Sequence, residues 1–202
     1  RIFVVKNTAT SVYYKVIIDM LSTQGKYVVK YAELNSTTPT VKEIVLSQYS
    51  TKNFVYLSLT TGALIDREPA STAWDLTFLQ YTTDLGGGTM YPVAGVLHNQ
   101  GVQVAKVHPV NNPVTYTDWS AHTYSNKINT RGYNWKASGQ SGVTIEDSTV
   151  FFVKAKDGDI WKVIMTGFIS GAGAGTGEYI FSKERLETAS IGELESNVFM
   201  TV

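Results

Sequence analysis

The sequence predicts an all-β, antiparallel fold of many short strands with few or no helices. Three observations carry this expectation. Short runs rich in Val, Ile, Tyr, Phe and Thr recur along the chain, bounded by Gly, Asn, Asp, Ser and Thr. The three-to-four spacing of apolar residues that marks an amphipathic helix is scarce. Asp157-Gly158 separates two β-rich runs, and Gly accepts the positive φ that a tight hairpin demands.

The strands follow in order from this pattern. Ile2–Lys6, Val12–Asp19 and Lys26–Glu33 are apolar or β-branched runs set off by polar turns. Val41–Leu46 comes next, then Phe54–Leu59 and Ala63–Asp66, joined by Thr60-Thr61-Gly62. Asp75–Thr82, Tyr91–Leu97 and Val102–Val107 form the middle of the chain. Thr149–Lys154, Asp159–Phe168 and Gly177–Ser182 close the series. The charged run Ser182–Glu187 is expected to form a short turn of helix.

The chain has 202 residues, 17 basic and 17 acidic side chains, and 43% hydrophobic residues, enough to bury a real core and too apolar for a disordered chain. There is no Cys, which excludes a disulfide framework and thiolate-held metal. A neutral balance argues against nucleic acid or an anionic membrane as the main partner. No run approaches the roughly 18 apolar residues of a membrane span. Arg1 leads straight into Ile2-Phe3-Val4-Val5 with no start Met, so the chain is expected to begin inside a folded unit.

An internal repeat sets the expected domains. Ile2-Phe3-Val4-Val5-Lys6 is similar to Val150-Phe151-Phe152-Val153-Lys154, and Tyr14-Lys15-Val16-Ile17 to Trp161-Lys162-Val163-Ile164. Lys26–Tyr31 is similar to Gly177–Ser182. Residues 1–35 therefore read as the last strands of an upstream unit, and 40–185 as one complete unit. Residues 186–202 read as an acidic, small-residue linker towards a further domain. The front strands would then seek partners elsewhere, in the second unit or in another chain.

Chemistry-bearing residues are few. The three histidines, His98, His108 and His122, fall close together in sequence, with Met90 just before them. Imidazole and thioether are the side chains that hold haem iron in His/His, His/Met or Met/Met pairs, and imidazole also suits zinc or copper. No two of them have the local spacing of a metal pair, and loop histidines of this kind are more often solvated or hydrogen-bonded. Tyr91, Tyr116, Trp119, Tyr124, Tyr133 and Trp135 flank them, either as core or as flat walls for a porphyrin, glycan or peptide. Gly86-Gly87-Gly88 and Gly171–Gly177 are not phosphate cradles, because no helix follows either of them. Asp118, Ser120 and His122 alternate along an extended run and do not face one another as a relay. No catalytic set is assigned, and an enzyme is not expected.

Residues 40–185 resemble the HmuY family, haem-binding proteins exported by Bacteroidetes. Trp74-Asp75-Leu76-Thr77-Phe78 is similar to that family's Trp-Asp strand. Val150–Lys154 with Asp157-Gly158 and Lys162-Val163 is similar to its closing hairpin. The opening Phe54–Gly62 is a looser match. Leu79 stands where the family often has His. The resemblance implies an extracellular β fold whose strands extend like fingers around haem. It implies axial ligands drawn from the stretch between the Trp-Asp strand and the closing hairpin, where Met90, His98, His108 and His122 lie. Tyr81-Thr82-Thr83, Met90–Val93, Gly95–Asn99 and Gly101-Val102 further resemble a subgroup exported by the type IX secretion route. That implies a place outside the cell or on its outer surface.

Two readings result. The first is an exported binding module holding haem or another small flat ligand by side-chain ligation. The second is a surface structural or interaction module without haem, which assembles with other protein chains through its strand edges.

Overall fold

The computed structural model describes residues 1–139, 142–171 and 177–188. Among these the regular structure is all strand apart from 3-10 turns at Ser22–Gln24 and Leu46–Tyr49, and every ladder is antiparallel. No helix among the described residues is long and apolar enough to cross a membrane. The chain divides into two units, Arg1–Ala73 and Trp74–Val202.

In the first unit, β1 (Phe3–Lys6), β2 (Tyr13–Leu21), β3 (Lys26–Glu33) and β4 (Thr40–Val45) form one sheet in that order. A short pair, β5 (Tyr56–Leu57) and β6 (Leu64–Ile65), follows. The sheet buries Tyr14, Val16, Val29, Tyr31 and Ile44, with Val55, Leu57, Leu59 and Leu64 packed against them. Thr60-Thr61-Gly62 makes the expected turn, with Gly62 at φ 69° and its N–H donating to the Ser58 carbonyl at 2.8 Å. A Cβ on Gly62 would stand 2.9 Å from the Tyr31 hydroxyl, so both backbone and space ask for glycine. Pairing crosses the stretch 35–40 without a break, since β4 lies against β3 from Tyr31↔Thr40 to Lys26↔Val45.

The second unit opens with the hairpin β7 (Leu76–Asp84) and β8 (Met90–His98). Then come β9 (Gln103–Val107), the small hairpin β10 (Lys136–Gly139) and β11 (Gly142–Ile145), and β12 (Val150–Lys154), β13 (Ile160–Ser170) and β14 (Gly177–Glu187). The main sheet runs β14-β13-β12-β9. Its centre is β12, whose Val150, Phe151 and Phe152 are fully buried and Val153 nearly so. Successive side chains of a strand point to opposite faces. Phe151 and Val153 therefore join Val96, Val104, Trp135, Val163 and Met165 in one core. Phe152 and Val150 join Val110, Ala105 and Ile164 in another, covered by Tyr116, Trp119 and Tyr124 from the long loop after β9. Arg131 is fully buried; it donates to the Met165 sulfur at 2.8 Å, and its guanidinium lies 4.9 Å from the Phe151 ring centre.

Two expectations change. Ser182–Glu187 is not helical: β14 continues through it, pairing Lys162 with Glu184 and Trp161 with Arg185. Lys162–Glu184 and Arg185–Asp159 ion pairs tie it across the ladder, so tertiary pairing overrides the helical preference of the run. The β10–β11 hairpin is not among the expected strands, because Lys-Ala-Ser-Gly has no apolar alternation and that of Gly-Val-Thr-Ile is only two apolar residues long. Of the expected linker 186–202, residues 189–202 lie outside the described residues.

Candidate ligand-binding cleft

A cleft of about 470 Å³ opens in the second unit, where β8, β10 and the far part of β13 meet. Its walls include Tyr91, Val93, Tyr133, Lys136, Phe168 and Ser170. The β13 wall runs past the main sheet. β12 pairs with β13 only over Ile160–Val163, while the β13–β14 ribbon continues to Ser170↔Gly177. A bulge between Met165 and Gly167 bends that ribbon. The β7–β8 hairpin turns through Gly86-Gly87-Gly88, all at positive φ, with the Asp84 carboxylate accepting the Gly86 N–H at 2.8 Å. The glycine triplet thus serves a turn, as its lack of a following helix implied.

An aromatic floor lies beneath the cleft. Phe168 meets Trp135 edge-on at 6.1 Å and Tyr179 at 5.0 Å, and Tyr179 meets Phe78 at 5.1 Å. Lys136 sets its ammonium 4.7 Å from the Trp135 ring centre and 4.8 Å from that of Phe168, and donates to the Ala94 carbonyl at 2.5 Å. Burial pulls the Lys136 pKa below its ordinary value. Tyr91 is 55% exposed at the mouth. Aromatic faces beside a partly desolvated cation fit a flat, apolar ligand that carries an anionic group.

The four expected ligands stand apart. Met90 is exposed at the tip of the β7–β8 hairpin, opposite Asp84 and next to the cleft residue Tyr91. His98 ends the same strand opposite Leu76; at about 3.4 Å per residue the two are roughly 27 Å apart. Axial ligands of one iron sit on opposite sides of a single atom, so Met90 and His98 do not form a pair. His98 is 3% exposed, and among the described residues the Asn126 backbone is the polar group beside its ring, short of full hydrogen-bond geometry. His108 shares Nδ1 with the Thr149 hydroxyl at 3.0 Å and lies 3.7 Å from Glu146. Lys106, hydrogen-bonded to Glu146, holds that carboxyl below its ordinary range. His122 bonds through Nε2 to the Tyr116 hydroxyl at 2.8 Å and stacks on Phe152 at 5.9 Å. Each histidine therefore has its own surroundings, and none lines the cleft. Among the described residues no group of three or more His, Asp or Glu could hold a metal ion.

Burial lowers the pKa of His98, with the Asn126 backbone opposing part of the shift. The unfolded chain then takes up a proton at this site more readily than the folded one. Stability contributed by the neutral ring is present above the unfolded value of about 6.5 and is lost as pH falls below it. A thermal midpoint that falls between about pH 7.5 and 5.5, and falls less in His98→Leu, is the expected result. Parallel falls in both proteins would clear His98 of the effect.

Tyr91 and Tyr133 were legible as wall residues, whereas Tyr116, Trp119, Tyr124 and Trp135 belong to the cores. Lys136 and Phe168 carried no sequence signal, since only the fold brings them beside Tyr91. These strands define an antiparallel β protein with an aromatic-walled cleft in its second unit. The family model described as HmuY protein matches residues 50–182, and the chain belongs to the HmuY family. Comparison with curated proteins and with solved structures gave no match.

Proposed function

We propose that this chain is an exported binding module of HmuY type and that the cleft of the second unit takes haem or a closely similar flat, anionic ring. It acts by binding, not by catalysis. The observation that carries the reading is the cleft itself, with Tyr91, Tyr133 and Phe168 as walls and Lys136 beside them. Its volume of about 470 Å³ lies within the roughly 300–1,000 Å³ of small-molecule sites. A porphyrin would lie against the aromatic faces with a carboxylate towards Lys136. The donors at this end are the Met90 thioether and the Tyr91 phenol, both able to ligate haem iron. No histidine lines this site, so Tyr91 or the neighbouring Met90 would supply any ligation from the chain. The resemblance of Met90–Val93 and Gly95–Asn99 to the type IX subgroup supports export to the cell surface or beyond.

Haemin titrated into the protein and followed by absorbance tests this. A saturable Soret shift with high-spin character is expected, weakened about tenfold by Tyr91→Ala, the equivalent of ~1.4 kcal/mol. His108→Ala and His122→Ala should leave it unchanged. No shift at ~10 μM protein, where a Kd of ~1 μM would be plain, would remove haem as the ligand. Sharp low-spin bands abolished by either histidine change would move the site away from the cleft.

A further inference from the structure

A second cleft, of about 720 Å³, lies within the first unit. One wall is the core face of the sheet, which carries Val16 and Ile18 on β2, Val29 on β3 and Ile44 on β4. Alternate residues of a strand share a face, so Ile18 continues the face of Val16, and the ladder sets it opposite Val29. The other wall is the segment after β4, with Tyr49, Phe54 and Val55. Val16, Val29 and Ile44 are buried in the depth of the cleft, while Ile18 and Phe54 are 51% and 58% exposed at its mouth. Exposed apolar side chains around a concave space of this size fit a small-molecule site. The sheet wall precedes residue 50, where the family match begins.

The second unit shows the matching face when it is filled. Phe3↔Val16 in the first unit has the counterpart Phe151↔Val163 in the second. Two steps along the same face, Ile18↔Val29 has the counterpart Met165↔Phe181. Met165 is 3% exposed and belongs to one buried cluster with Phe151, Val163 and the fully buried Trp135. Trp135 comes from outside the four strands of that sheet and lays a flat apolar ring in the cluster. Ile18 borders the open cleft instead.

Charge narrows the chemistry of an occupant. Among the described residues that line the cleft, Lys52 carries the charge, and its ammonium is already committed. It donates to the Asp66 carboxylate at 2.9 Å and to the Glu68 carbonyl. A ligand therefore meets apolar walls and a neutralised ion pair. An anion would give up its hydration there without gaining a free cation in return.

We propose that this cleft is a second binding site, for an uncharged, flat, apolar ring compound that takes the place the Trp135 indole holds in the second unit. The proposal concerns the first unit and does not rest on the haem reading.

The neutral aromatic dye N-phenyl-1-naphthylamine, which brightens in apolar surroundings, is titrated into the whole 202-residue chain. A saturable rise is expected, with a Kd on the order of 1–10 μM. Ile18→Glu sets a charge in the mouth at a half-exposed position and should weaken binding at least tenfold, with circular dichroism matching the parent. Phe54→Ser, on the opposite wall and outside any strand, should weaken it at least fivefold. The anionic analogue 1-anilinonaphthalene-8-sulfonate should bind at least tenfold more weakly than the neutral dye. Tyr91→Ala, in the second unit's cleft, should leave dye binding unchanged, and the haemin titration of Ile18→Glu should match the parent. Absence of a saturable rise, dye binding unchanged in both Ile18→Glu and Phe54→Ser, or dye binding lost in Tyr91→Ala overturns the proposal. Equal binding of the anionic dye, or loss of haemin binding in a folded Ile18→Glu, overturns the uncharged ligand and gives this cleft to an anionic ring.

Discussion

Trp135→Ala is expected to destabilise the second unit by about 3–5 kcal/mol. Trp135 is fully buried among Val96, Phe151, Val163 and Met165, with Phe168 and Tyr179 at 6.1 Å. Truncation removes the transfer free energy of the indole and leaves a cavity that the surrounding core fills only in part. One feature moderates the loss: the indole N–H has no hydrogen-bond partner among the described residues, so Trp135→Phe should cost much less. Urea unfolding followed by fluorescence and near-ultraviolet dichroism measures both. A loss under ~1 kcal/mol for Trp135→Ala would mean that the core is far looser than the packing described. The same change removes the floor beneath Phe168 and Lys136, so haemin binding should weaken with it.

Phe152→Ala should cost a similar ~3–5 kcal/mol, with a different functional signature. Phe152 is fully buried on the opposite face of β12, where His122 stacks on it at 5.9 Å and Tyr116 lies at 6.0 Å. Its loss unseats the segment that carries Val110, Tyr116 and Trp119. Limited proteolysis should then cut between residues 110 and 125 well before the parent is cut. Haemin binding at the cleft should persist in whatever fraction stays folded. If Phe152→Ala abolishes haemin binding while the protein remains folded, the ligand belongs on the His122 face.

The strands were legible because their signals are local. Alternation and turn residues mark β2, β3, β7, β8 and β13, and Asp157-Gly158 makes the turn it promised, with Gly158 at φ 93°. Phe54–Leu59 shrank to Tyr56–Leu57 because apolar composition alone does not supply a partner strand. β10 is silent because Lys-Ala-Ser-Gly has no large apolar residue, and β11 because Val143 and Ile145 alone are too short an alternation to mark a strand. The candidate site was harder for a deeper reason. Met90 and the histidines were selected by what their atoms can bind, but ligation requires convergence in space, which sequence proximity does not give. His98 shows this most clearly, since a lone imidazole on a buried strand end is indistinguishable by letter from a ligand at a cleft. The cleft's own residues come from β7, β8, β10, β13 and the loops beside them, and only the folded chain brings them together.

β12 raises a question of addressing. Its Val-Phe-Phe-Val run is buried throughout. Slid by one step, every side chain would change face, yet each face would still receive apolar groups. Greasiness tells this strand to be inside but does not tell it how far along to stop. The stopping point must be written in polar letters at its two ends. At one end, the Asp157 carboxylate takes the Asp159 N–H at 3.0 Å and Gly158 closes the turn onto Ala155, which indexes β13. At the other, the hydrogen bond between His108 and Thr149 indexes β9. In that role His108 is a bookmark, whose value lies in where it makes the neighbouring strand begin.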